Sequence, residues 1–140
     1  MPKSGTARRF TPWAPDDTTH ANSSAERSEA SPSALKISDD EFRSTVEGNQ
    51  LRIQRERGTQ CTFFSPRASA MGHHVGNETT SRHWCEHCNE LIHRVCGLYP
   101  KNFVGVCQLP QSPGVPPKNS IPELVRCVEE FGFIGCNLNP

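Results

Sequence analysis

Apolar residues fall into three short runs rich in β-branched and aromatic side chains, separated by longer segments in which they recur every three or four positions. The first run is Cys61-Thr-Phe-Phe-Ser65. Pro66 cannot donate to a sheet ladder, so a strand is expected to stop at about Ser65, with Thr62, Phe63 and Phe64 on a pleated, buried surface. Upstream, Ser38-Asp-Asp-Glu41 has the form of a capping box and predicts a helix with acids at its amino end and Arg52, Arg55 and Arg57 toward its carboxyl end. Phe42, Val46 and Ile53 fall on one face of that helix, and Gly58 closes it. A long helix is expected from about Asn77 or Thr79, with a stripe of Trp84, Cys88, Leu91, Ile92, Val95 and Tyr99, stopping before Pro100. Residues 103–109 read as a second strand ended by Pro110. A further capping box, Ser120-Ile-Pro-Glu123, opens a short helix that buries Leu124, Val128 and Phe131 and is closed by Gly132. Residues 133–138 read as a third strand.

Helix, strand, helix, strand, helix, strand is the order of two consecutive βαβ units, which require parallel strands and right-handed crossovers. Such sheets are covered on both faces, in open doubly wound domains or in eight-stranded barrels. Three strands are too few for either, so the pattern predicts part of a larger α/β domain with an apolar edge left uncovered and poor solubility in isolation. Residues 1–36, rich in Thr, Ser, Pro and Ala, show no periodicity apart from isolated Phe10 and Trp13 and read as an irregular or disordered segment. The folded domain is therefore placed at 37–140.

Composition narrows the function classes. The formal net charge is zero, which gives no footprint for nucleic acid or a membrane surface, and no apolar run reaches the ~20 residues of a bilayer span. The opening ten residues carry positive charge without a following apolar core, so a cytoplasmic location is the default. Seven cysteines, an odd number without a secretory signal, fit reduced thiols in a reducing compartment.

The run from His83 to Cys96 is the densest in metal-ligand types. Cys85-x2-Cys88-x4-His93-x2-Cys96 resembles a zinc knuckle in its ligands, which would make a binding module, and His83-x2-Glu86-His87 matches the inverted zincin pattern. An uninterrupted helical stripe without glycine opposes the knuckle: on one helix Cys85 and Cys96 are ~16 Å apart. Glu90 and Arg94 continue the face of the two histidines, which reads as solvated. Ligand chemistry is better sought past the strand ends, where parallel α/β folds bind. Ser65 and Arg67 stand there after the first strand, with His73 and His74 in the loop beyond, and Gln108, Gln111, Asn137 and Asn139 after the second and third. A guanidinium at that position suits a carboxylate, which it holds through two parallel hydrogen bonds.

Four ordered stretches carry a family resemblance: Ile37-Ser-Asp-Asp-Glu41; Cys61-Thr-Phe-Phe-Ser-Pro-Arg-Ala-Ser69; Gln108-Leu-Pro-Gln-Ser-Pro-Gly114; and Ile121-Pro-Glu-Leu124 through Gly132-Phe-Ile-Gly-Cys-Asn-Leu-Asn-Pro140. Together they resemble the amidohydrolase superfamily, and within it the 4-oxalomesaconate hydratase branch. The resemblance implies part of a (β/α)8 TIM barrel of the metal-dependent hydrolase type, with about three parallel strands and crossover helices. It also implies zinc, and addition of water across a double bond of a small polycarboxylate of the muconate type, with a decarboxylase or hydrolase of the same superfamily as the alternative. Ser65, Arg67, His74 and Asn139 are the substrate-binding candidates. The family's His-x-His zinc ligands have no counterpart in this sequence, His20-Ala-Asn22 being the nearest run. No catalytic or metal-binding residue is therefore assigned. The chain is expected to be an inactive fragment, with no nucleic acid or membrane partner and with self-association into a homo-oligomer as an open alternative.

Overall fold

The computed structural model describes residues 37–139; the irregular segment expected over 1–36 lies outside them. Helix α1, Asp39–Val46, begins as its capping box requires: the Ser38 N–H donates to Glu41 Oε2 (2.8 Å) and the Glu41 N–H donates to Ser38 Oγ (3.2 Å). A single wide π-helical turn, Glu47–Leu51, joins it to α2, Arg52–Arg57, and Gly58 ends the run with a left-handed φ of 65°. The π turn corrects the expected face. One extra residue per turn carries the buried stripe from Val46 to Leu51 and then to Gln54, leaving Ile53 40% exposed. Gln54 spends its amide on the sheet: Nε2 donates to Thr62 Oγ1 (2.7 Å) and to the Asn102 carbonyl (3.0 Å).

Strand β1, Thr62–Phe64, pairs in parallel with β2, Phe103–Gly105, after the long helix α3, Glu78–Leu98. Past Val106 the same run continues as β3, Cys107–Gln108, and pairs on its other side with β4, Cys136–Asn137, after helix α4, Ile121–Glu129. The middle strand is thus shared by two short parallel ladders. Its neighbours hold it in succession: the Val106 N–H donates to the Phe64 carbonyl (2.9 Å), and the Cys107 N–H to that of Gly135 (3.0 Å). The second and third strands are shorter than expected because Pro110 and the irregular backbone before Cys136 end regular pairing.

The helices cover one face of these strands. Val46, Leu51, Val95 and Phe103 form one cluster, Ile92, Cys107, Leu109, Cys127 and Phe133 another, and Phe64 and Cys96 pack against both. Phe63 departs from the sequence reading. Alternation turns it to the face away from the helices, where it is 71% exposed, while Phe64 packs against Phe103 with the rings tilted and their centroids 4.7 Å apart. The stripe of α3 is also rotated: Asn77 caps the helix as expected, but the buried positions are Ser81, Cys85, Asn89, Ile92 and Val95, and Trp84 is exposed. On α4 the expected capping box does not form. Ser120 donates its hydroxyl to the Pro110 carbonyl, and Glu123 turns inward to Asn89 and Arg126, which draws Cys127 under the helix and leaves Val128 exposed. Gly132 closes the segment with φ 67°, as expected.

Candidate functional site

Where the strands end, their polar side chains meet. Asn137 Nδ2 donates to Ser65 Oγ at 2.6 Å, joining the end of β4 to the end of β1. Asn139 donates Nδ2 to the Ala68 carbonyl (3.2 Å), which fastens the chain after β4 to the turn that follows Arg67. Gln111, in the loop after β3, takes both backbone groups of Asn139: Oε1 accepts its N–H (2.8 Å) and Nε2 donates to its carbonyl (3.1 Å). Four residues the sequence placed on this rim, Ser65, Gln111, Asn137 and Asn139, are therefore brought together, and Gln108 joins them from β3.

Backbone groups fix the direction of the bonds that run from Asn139 through Gln111 to Gln108, because an N–H can only donate and a carbonyl only accept. Asn139 thus orients Gln111, whose Oε1 must take its second bond, 3.2 Å from Gln108 Nε2, as acceptor. Gln108 Nε2 then has one hydrogen left, and it faces His73 Nε2 at 3.3 Å. His73 Nε2 is consequently the lone-pair nitrogen, and Nδ1 carries the proton toward Ser81 Oγ at 3.0 Å. Burial, and secondarily the neighbouring charge of His74, holds the His73 imidazole below its ordinary pKa, in keeping with a neutral ring. Gln108 Oε1 is left buried without a protein partner among the described residues.

The other two candidates stand apart from this network. Arg67 is exposed, and among the described residues no carboxylate lies within salt-bridge reach of it. His74 is exposed as well; it is His73 that the loop turns inward. Sequence reasoning also missed buried Asn89 and Glu123 and half-buried Arg126, which lie beneath Gln108 and are treated below. The signal was present: Ser81, Cys85 and Asn89 recur every fourth position, so a polar residue on a buried stripe was legible once the stripe was placed correctly.

Metal chemistry finds no ligand set here. Helix α3 runs unbroken through Cys85, Cys88, His93 and Cys96, and among the described residues no group of three or more His, Cys, Asp or Glu side chains converges. His83 instead takes Glu86 as a partner, 3.3 Å from its Nδ1. Burial pushes the Cys85 thiol up to about 12 and those of Cys88 and Cys96 up to about 11, so that without an ion all three are neutral thiols. The described residues do not fit a metal.

A family model described as amidohydrolase matches residues 9–140, so it reaches well upstream of Ile37. The chain belongs to the amidohydrolase family. It is 59% identical over 105 residues to 2-keto-4-carboxy-3-hexenedioate hydratase of Sphingobium sp. strain SYK-6, covering 75% of this chain and 31% of that protein. It superposes on the crystal structure of the 4-oxalomesaconate hydratase LigJ from Rhodopseudomonas palustris with a TM-score of 0.71 and 51% identity, over 79% of this chain and 31% of the other. A dihydroxybenzoic acid decarboxylase from Polaromonas sp. JS666, solved with bound manganese and 2-nitroresorcinol, shares the fold at 23% identity and a TM-score of 0.59, over 74% of this chain and 32% of that one. The chain spans about a third of the length of the relatives it matches, and its fold is part of the amidohydrolase-type barrel that the sequence led one to expect. No described helix is long and apolar enough to cross a membrane.

Proposed function

We propose that this chain supplies the substrate-holding part of a hydratase that adds water across a carbon–carbon double bond of a small polycarboxylate. The observation that carries the reading is an exposed Arg67, with no carboxylate in salt-bridge reach among the described residues, in the segment that leaves β1 next to a hydrogen-bonded polar rim at the strand ends. Arg67 grips one carboxylate, while Asn139, tied to Ala68, keeps a second amide hydrogen for a carbonyl or a second carboxylate, and Ser65 joins it once its hydroxyl turns from the Pro66 carbonyl, with His74 at the edge. In hydration a proton goes to one alkene carbon and a hydroxyl oxygen to the other; the described residues orient the substrate and no metal-dependent step is assigned to them.

Identities of 51% and 59% to two hydratases favour hydration over the decarboxylation named for the more distant relative. The zinc implied by the family resemblance belongs to the same reading at the level of the whole enzyme. All seven cysteines are free thiols, which supports a reducing, cytoplasmic setting.

The test is calorimetric titration of the chain with aconitate, an unsaturated tricarboxylate. Salt-sensitive binding that weakens about tenfold or more in Arg67→Met is expected, as a charge-assisted contact is lost. Binding indifferent to Arg67, or none at all, would rule the reading out. Incubated with 4-oxalomesaconate the chain alone is expected to leave it unchanged.

A further inference from the structure

Beneath the strand-end cluster lies a second polar group, in which Asn89 and Glu123 are buried and Arg126 is partly so. Asn89 of α3 brackets the backbone of Gln108: its Oδ1 accepts the Gln108 N–H (2.9 Å) and its Nδ2 donates to the Gln108 carbonyl (2.9 Å). Ladder bonds alternate sides along a strand, so with Cys107 bonded toward β4 the Gln108 groups point the other way, where β1 has already ended at Phe64. Asn89 takes the place of the absent strand. Its second amide hydrogen reaches Glu123 Oε1 (2.8 Å), and Glu123, 4% exposed, is gripped by Arg126 through Nε (2.8 Å) and Nη2 (2.8 Å). Desolvation alone would weaken the Arg126 charge, yet the bonds to Glu123 and its charge outweigh this and keep it protonated.

We propose that Asn89 is a positioning residue for the site, and that Arg126 and Glu123 hold it in register. The path is short and directional. Arg126 orients Glu123, Glu123 takes one hydrogen of Asn89, and Asn89 sets the Gln108 backbone. The Gln108 side chain in turn reaches Gln111 and His73, and it holds His73 as the Nδ1–H tautomer with its Nε2 lone pair turned to the cluster. The tighter constraint falls on His73, the one buried histidine among the described residues. Its relevance to ligand binding rests on the function proposed above, but the relay itself is read without any ligand.

Long-range proton–nitrogen correlation spectra of the histidine rings provide the test. In the wild-type chain His73 is expected as the Nδ1–H tautomer; a predominant Nε2–H form overturns the relay. Asn89→Ala is expected to shift His73 toward the Nε2–H form and to raise its pKa toward the ordinary value. A folded Asn89→Ala protein in which tautomer and pKa both stay put overturns it too. Should that variant not fold, hydrogen exchange in the wild type decides. The Gln108 amide, held by Asn89 alone, is expected to exchange at least tenfold more slowly than the same amide in an unstructured peptide, and exchange at the peptide rate counts against the proposal. These outcomes are separate from aconitate binding: a relay that behaves as expected in a chain that takes up no tricarboxylate removes only the functional reading.

Discussion

The Phe133 ring lies against Gly105 so closely that a Cβ at position 105 would sit 2.3 Å from its Cδ1 and Cε1. Gly105 ends β2, and Phe133 leads the chain from α4 back toward β4, so this contact sets how near the two ladders stand. Neither side can yield cheaply, since Phe133 is buried among Ile92, Cys107 and Cys127. Gly105→Ala is expected to cost about 3 kcal/mol, the upper range for overpacking, read as a fall in the urea midpoint. Adding Phe133→Leu should recover part of the loss, and a single variant as stable as the parent would contradict the packing described.

The π turn makes an unusual prediction about two adjacent residues. Apolar patterning marks Ile53 as core, but the extra residue in the turn exposes it and buries Gln54 instead. Gln54→Ala is expected to cost about 1–3 kcal/mol, because Thr62 and the Asn102 carbonyl lose a buried donor, whereas Ile53→Ala should cost about 0.5 kcal/mol or less. Equal costs from denaturant titrations would mean that the helix is regular in solution.

Signals written in adjacent residues were legible in the sequence. Ser38 and Glu41 close their box, Asn77 caps α3, Gly58 and Gly132 take left-handed angles, and Phe103 and Cys107 lie in the middle strand. What escaped depends on partners far along the chain. Glu123 left its capping role because Asn89 and Arg126 offer stronger bonds inside, and with it the faces of α3 and α4 turned from the expected stripes. The rim was foreseen from strand ends alone, since a strand's end fixes where its next side chains go; which of His73 and His74 turns inward was not, because adjacent loop residues carry no periodicity.

His73 makes stability depend on pH in one direction. Its folded pKa lies below the 6.5 of an unperturbed imidazole, through burial first and His74 second. As pH falls through that unfolded value the unfolded chain takes up a proton the folded chain refuses, so stability is full above it and declines below it. A urea midpoint that drops between pH 7.5 and 5.5, with a flatter profile in His73→Gln, is expected. The Ser38 capping bonds depress the Glu41 carboxyl, whose contribution is present above 4.5 and goes only as pH falls below it, so the two windows can be told apart. A profile rising toward pH 5.5 would place a charged imidazole in the fold.

Thiol chemistry distinguishes the helix from a metal-organised segment. Cys85, Cys88 and Cys96 share one continuous helix and are held as neutral thiols by burial, whereas Cys61 and Cys136 are exposed. In the native chain at pH 8, iodoacetamide is expected to label Cys61 and Cys136 at least tenfold faster than the other five, with the difference vanishing in denaturant. Dialysis against a chelator should leave the helical circular dichroism unchanged, because among the described residues no three metal-ligand side chains converge. Stoichiometric zinc that disappears in a Cys85→Ser, Cys88→Ser double variant would falsify this account of α3. It would require the helix to break between Cys88 and His93, since an unbroken helix keeps Cys85 and Cys96 ~16 Å apart.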